Sequence, residues 1–174
     1  MKDVSILALS LLLTVSVARA ALIEPNDDFA SRTILAPGVL TCSDTIDGTD
    51  DSDSFDFVSF TGLTPGASFT AEIVAADFDT MLAWYDDDGE LIEFTDDIYY
   101  PDYSVLSRLE GIVPASGLLH LAVTGYPALY ADTSAGTPDW FTEEVGAYTL
   151  TVTPEPATLA LLAIGAAGLL RRKR

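Results

Sequence analysis

The side chains with the most chemistry to offer are carboxylates, and they come in groups. Glu24, Asn26 and Asp27 place three oxygen donors within four residues. Asp47, Asp50, Asp51 and Asp53 form a second group, Asp86-Asp87-Asp88 a third and Asp96-Asp97 a fourth, while Asp79 stands just before an apolar run. Hard divalent cations want this donor type; calcium takes about 6–8 oxygen ligands. Burying several carboxylates together without a counter-charge is costly. A solvated acidic surface accounts for the same residues with no ligand, and both readings stand. No group has EF-hand spacing. Asp86-Asp87-Asp88-Gly89 reads as a solvated turn, since three adjacent side chains cannot all point at one ion.

Other chemistry has less support. Paired carboxylates can act as the acid and base of a glycosidase, but among 27 acidic residues nothing singles out one pair. His120 is the only histidine and therefore the only imidazole base; it lies in an alternating run and reads as a partly exposed strand residue. There is no Gly-x-Ser-x-Gly elbow, and Cys42 reads as a small buried residue. The chain is expected not to be an enzyme, and a small secreted hydrolase is the weakest of the readings. Tyr99, Tyr100 and Tyr103 fall in a loop-like stretch and could stack on sugar faces, giving a carbohydrate-binding alternative. Trp84, Tyr126 and Tyr148 are assigned to packing.

A chain of 174 residues has room for one domain, and 49% hydrophobic residues argue against generic disorder. A formal charge of −19 excludes a nucleic-acid partner, whose phosphates need basic surface. One cysteine and one histidine exclude a disulfide framework, a Cys-rich zinc site and a multi-histidine metal centre. Apolar alternation and turn signals predict about eight strands: Val39–Ser43, Ser54–Thr61, Ser68–Ala75, Thr80–Tyr85, Leu91–Phe94, Val105–Val113, Leu118–Tyr126 and Ala147–Val152. A short helical turn is expected in Asp27–Thr33, and Pro127–Glu144 reads as a surface excursion. The fold class is all-β, a single antiparallel β-sandwich flanked by an N-terminal signal helix and a C-terminal apolar helix.

Arg32 and Arg108 are the only basic residues between Arg19 and Arg171. Lys2, the apolar run Val4–Val17 and Ala18-Arg19-Ala20 read as a secretory signal peptide cut after Ala20 by signal peptidase. At the other end, Pro154-Glu155-Pro156 precedes the apolar run Leu159–Leu170 and the basic stop Arg171-Arg172-Lys173-Arg174. The run is short for a span of about 20 residues, but its charged end marks a membrane stop.

This order resembles the PEP-CTERM protein-sorting signal of Gram-negative bacteria. The resemblance implies transient anchoring in the inner membrane and cleavage near Pro154-Glu155-Pro156 by an exosortase. It also implies a place at the cell surface or in an exopolysaccharide matrix. Glu24-Pro25-Asn26-Asp27, Asp51-Ser52-Asp53-Ser54-Phe55, Phe78-Asp79-Thr80-Met81-Leu82, Tyr85-Asp86-Asp87-Asp88-Gly89 and the ending Gly117–Tyr126 then Gly146–Leu150 resemble, in that order, bacterial pre-peptidase C-terminal (PPC-like) domains. That resemblance implies a non-catalytic, jelly-roll-like sandwich. It also implies a Ca2+ site formed by Glu24, Asn26, Asp27, Asp51, Asp53 and Asp79 at one end of it. The expected organisation is signal peptide 1–20, acidic domain 21–153 and sorting signal 154–174.

Overall fold

In the computed structural model the described residues are 18–48, 54–98, 104–127 and 144–154. They form ten strands and no helix. The strands are β1 (Ala18–Ala21), β2 (Thr33–Ile34), β3 (Val39–Ile46), β4 (Asp56–Phe60), β5 (Ser68–Ala76), β6 (Thr80–Tyr85), β7 (Leu91–Thr95), β8 (Arg108–Ile112), β9 (Leu119–Gly125) and β10 (Gly146–Pro154). All eight expected strands are present. The expected flanking helices fall in residues 1–17 and 155–174, outside the described residues. Among the described residues no helix is long and apolar enough to cross a membrane.

The strands form two five-stranded sheets, ordered β1-β3-β10-β5-β8 and β2-β4-β9-β6-β7. Their alternation builds the core between them. Cys42, Ile46, Phe69, Ile73, Leu150 and Val152 from the first sheet meet Val58, Phe60, Leu82, Leu121 and Val123 from the second. Burying each large side chain there is worth roughly 1.5–3 kcal/mol.

Two expectations need correction. The sandwich is not purely antiparallel: β1 runs parallel to β3, and β2 parallel to β4. The two additional strands are these edge pieces. β1 includes Ala18, Arg19 and Ala20, all assigned by sequence to the signal peptide, and Arg19 donates to Ser43 Oγ at 2.8 Å and Thr149 Oγ1 at 2.9 Å. Asp27–Thr33 holds no helix. Asp28 closes a turn by accepting from the Ser31 backbone N–H and hydroxyl, and the chain then enters β2.

The segment from Glu24 to Arg32 covers the outer face of the second sheet. Phe29 packs there on a small cluster of Phe55, Phe57, Met81, Ala83, Tyr85 and Ala122. This explains why β4 is buried at every position and why its phenylalanines do not alternate with polar residues. Gly89, at φ +86°, lets the β6–β7 turn approach Phe29, whose ring a Cβ would meet at 3.0 Å.

Candidate metal centre

The strand pairing brings the acidic residues to one end of the sandwich. Asp44, near the end of β3, lies opposite Tyr148 at the start of β10. Asp56, at the start of β4, lies opposite Val123 near the end of β9. Asp44 shares the inward face of its sheet with Cys42 and Ile46, and Asp56 shares that of its sheet with Val58 and Phe60. The two carboxylates therefore approach from opposite sheets at the rim of the core, and Glu24 joins them from the covering segment. One carboxylate oxygen from each of Glu24, Asp44 and Asp56 lies within 4.8 Å of the other two.

Asn26 is fully buried beside them. Its backbone carbonyl accepts from Phe57 N–H at 2.8 Å, which fixes it against β4. With its nitrogen turned towards the carboxylates, the side-chain amide donates to Asp56 Oδ1 at 2.8 Å and Glu24 Oε1 at 3.3 Å. Turned the other way, it presents a fourth oxygen to the same point, an arrangement that a cation would stabilise.

The electrostatics carry the same strain. Burial raises the Glu24 carboxyl above its ordinary range, and repulsion from Asp44, Asp27 and Asp47 adds to it. Burial also raises Asp44, whose Oδ2 is buried with no hydrogen-bond partner among the described residues. Tyr148, fully enclosed and facing Asp56, is held protonated well above the usual phenol range by burial and then by that charge. Burial pushes the Cys42 thiol up as well, with Asp56 and Asp44 contributing, so Cys42 is an inert core residue. The described arginines are engaged elsewhere: Arg19 as above, Arg32 with Ser59, and Arg108 with Glu110.

Of the residues expected to ligate calcium, the structure brings together Glu24 and Asn26, with Asp27 adding charge next to them. Asp51 and Asp53 lie outside the described residues. Asp79 is not part of this cluster. It groups with Asp96 and Asp97, again with oxygens within 4.8 Å of one another. This second group sits at the same end, by β6 and β7, two strands from Asp56 and so about 10 Å along the sheet. Oδ1 of each of the three is buried without a hydrogen-bond partner among the described residues. Burial, then Asp96, Asp97 and Glu144, raise Asp79; burial and Asp97 raise Asp96.

Asp44 and Asp56 are the donors that sequence reasoning missed. Asp56 had a signal, a lone carboxylate between Phe55 and Phe57. Asp44 had none, because its partners come from the other sheet.

His120 also differs from expectation. It is 2% exposed. Its Nδ1 lies 2.7 Å from Ser59 Oγ and its Nε2 3.3 Å from Asp87 Oδ1. Asp87 therefore reaches back from the turn that was read as solvated. The Ser–His–Asp order invites comparison with a hydrolase. However, Ser59 is 1% exposed and its Oγ accepts from Arg32 Nε at 3.0 Å, so no substrate reaches it in this arrangement. Tyr126, expected to pack, is 47% exposed. Tyr99, Tyr100 and Tyr103 lie outside the described residues, as does most of Pro127–Glu144.

No curated protein matches the chain. Among solved structures, the fold is similar to the pre-peptidase C-terminal domain of collagenase from Bacillus anthracis. That match has 13% identity and a TM-score of 0.36, and covers 70% of this chain and 92% of that one. It is also similar to PliG of Aeromonas hydrophila, a periplasmic lysozyme inhibitor of g-type lysozyme, at 12% identity and TM-score 0.38, covering 78% and 100%. Residues 152–174 match the PEP-CTERM protein-sorting motif, and the chain carries that motif at its C-terminus, the mark of an exported protein sorted by an exosortase.

Proposed function

We propose that the chain is a non-catalytic protein of the bacterial cell surface or extracellular matrix, and that Ca2+ ties one end of its sandwich. Signal peptidase and an exosortase would process its two ends. The ion would be held by Glu24, Asn26, Asp44 and Asp56, with Asp27 and Asp47 adding negative charge. One observation carries this reading: carboxylates from both sheets and from the covering segment converge where burial already disfavours their charge. An ion there would cross-link three parts of the chain that are far apart in sequence. Hard oxygen donors without sulfur or imidazole favour calcium or magnesium over zinc or copper.

Thermal unfolding of the full chain with calcium and then with chelator tests the reading. Calcium at about a hundredfold over its dissociation constant adds about 2.7 kcal/mol. For a domain of this size that raises Tm by roughly 10 °C. Magnesium at equal concentration controls for charge screening. Equal curves in calcium and chelator would refute a structural calcium site.

A further inference from the structure

The buried His120 network joins the covering segment to the second sheet, and its hydrogen bonds run in one direction. Arg32 Nε can only donate, and it donates to Ser59 Oγ at 3.0 Å. At the far end Asp87 accepts, from Ser116 Oγ at 2.9 Å and from the His120 Nε2 side at 3.3 Å. A neutral His120 with its proton on Nε2 satisfies both ends: Nε2–H donates to Asp87, and Nδ1 accepts the Ser59 hydroxyl at 2.7 Å. The segment is further held by Phe29, whose ring meets His120 edge-on at 5.1 Å and lies under the Arg32 guanidinium at 4.1 Å. Arg32 also donates to the Phe29 carbonyl.

A proton on Nδ1 breaks this chain. Ser59 Oγ would then face two cationic donors, Arg32 and His120, in a site closed to water, and its own hydroxyl proton would lose its acceptor. The charged groups facing the imidazole are Arg32 from the covering segment and Asp86 and Asp87 from the β6–β7 turn. Tyr85 is its cross-strand neighbour on β6, and Ser59 on β4. Burial and then Arg32 hold the His120 pKa below its ordinary value against the pull of Asp87, which is half exposed and screened. Of the two donors that would face Ser59, His120 is buried and Arg32 only half-buried, so Arg32 is the one that leaves.

We propose that the Arg32–Ser59–His120–Asp87 chain is an acid-sensitive latch, closed while His120 is neutral, whose protonation releases residues 24–32 from the outer face of the second sheet. The segment carries Glu24 and Asn26, so release would also dismantle half of the cation site; that consequence alone rests on the calcium reading.

The test uses the full-length chain in chelator, so that it is independent of any metal. His120 is the sole histidine, and its ring proton signals report its titration directly. They are followed from about pH 8 to about pH 4, across the histidine and carboxylate ranges, alongside amide hydrogen exchange. The expected result is that exchange in residues 24–34 accelerates with the His120 midpoint while Leu119–Gly125 stays protected. Arg32→Gln, which removes the tie that leaves, should raise the His120 midpoint and speed exchange in residues 24–34 already at neutral pH, and His120→Gln should remove the acid step from the exchange profile. The latch is overturned if the step survives in His120→Gln, or if Arg32→Gln leaves residues 24–34 exchanging as slowly at neutral pH as in the parent. Should His120→Gln fail to fold, the Arg32→Gln comparison decides, because that side chain is only half-buried.

Discussion

Asp56 is fully buried and within reach of two further carboxylates. Its replacement separates the two readings of the acidic residues by sign. If the cluster holds an ion, Asp56→Asn removes a repelling charge from the ion-free protein and a ligand from the bound one. The variant should match or exceed the parent Tm in chelator, yet lose most of the calcium response of roughly 10 °C. A parent-like calcium response in the variant would place the ion elsewhere. The pH dependence follows the same logic. Glu24 and Asp44 have folded-state pKa values above their ordinary ones, so folding is penalised while they are charged. That penalty is complete above the folded values and is relieved as pH falls towards the ordinary carboxylate value of about 4. His120 works in the opposite direction. Its pKa is lowered on folding, so its contribution is complete above about pH 6.5 and is lost as pH falls below it. In chelator, His120→Gln should therefore show a Tm that rises on acidification from about pH 7 to about pH 5. Saturating calcium should reverse that slope, since protons then compete with the ion. Tm measured across the pH series, with and without calcium, gives both slopes.

The eight strands readable from alternation are those that bury one regular face. Phe69, Ala71 and Ile73 on β5 show this most plainly, since each is buried between exposed or half-exposed neighbours. Edge pieces escaped that reading for physical reasons. β1 is alanine and arginine, with no apolar face, and β2 is two residues long. β4 was found but its burial on both sides was not, because its outer cover comes from Phe29, far away in sequence. The candidate cation site was half visible for a related reason. Glu24 and Asn26 are neighbours in the chain, whereas Asp44 and Asp56 meet only once the sheets stack. Asp79 falls with Asp96 and Asp97 and not with Glu24, because a residue preceding β6 lies beside the end of β7 and not beside β4. Two predictions belong to these elements. Asp96→Asn, which relieves repulsion on Asp79, should raise Tm in chelator; a fall would mean that the charge itself is structural. A cut after Ala20 would remove three of the four residues of β1 and, with them, the Arg19 bridge to Ser43 and Thr149. Amides of Val39–Ser43 should then exchange faster in a chain beginning at Ala21 than in the uncut protein. Unchanged exchange would show that β1 adds nothing to the edge it covers.

The two ends of the chain relate differently to the sandwich between them. The N-terminal signal, as read from sequence, overlaps an edge strand that contacts only β3 within its sheet. The sorting motif overlaps β10, a central strand paired with both β3 and β5. Val152 and Thr153 lie opposite Ala71 and Thr70, and Pro154, the last described residue of β10, lies opposite Phe69. Cleavage just beyond Pro154 would leave every pairing of β10 among the described residues intact, whereas cleavage a few residues earlier would strip Val152 from the core. It would also remove Arg171, Arg172, Lys173 and Arg174 and leave a more acidic product. A chain ending at Glu155 should accordingly unfold within about 2 °C of the full-length protein, a difference of well under 1 kcal/mol. One ending at Leu150 should lose several kcal/mol with the Val152 side chain and the end of the ladder. In a host with an exosortase, mass spectrometry of the exported protein should find the C-terminus close to Pro154-Glu155-Pro156. Recovery of Leu159–Arg174 on the exported form would show that the motif is not processed.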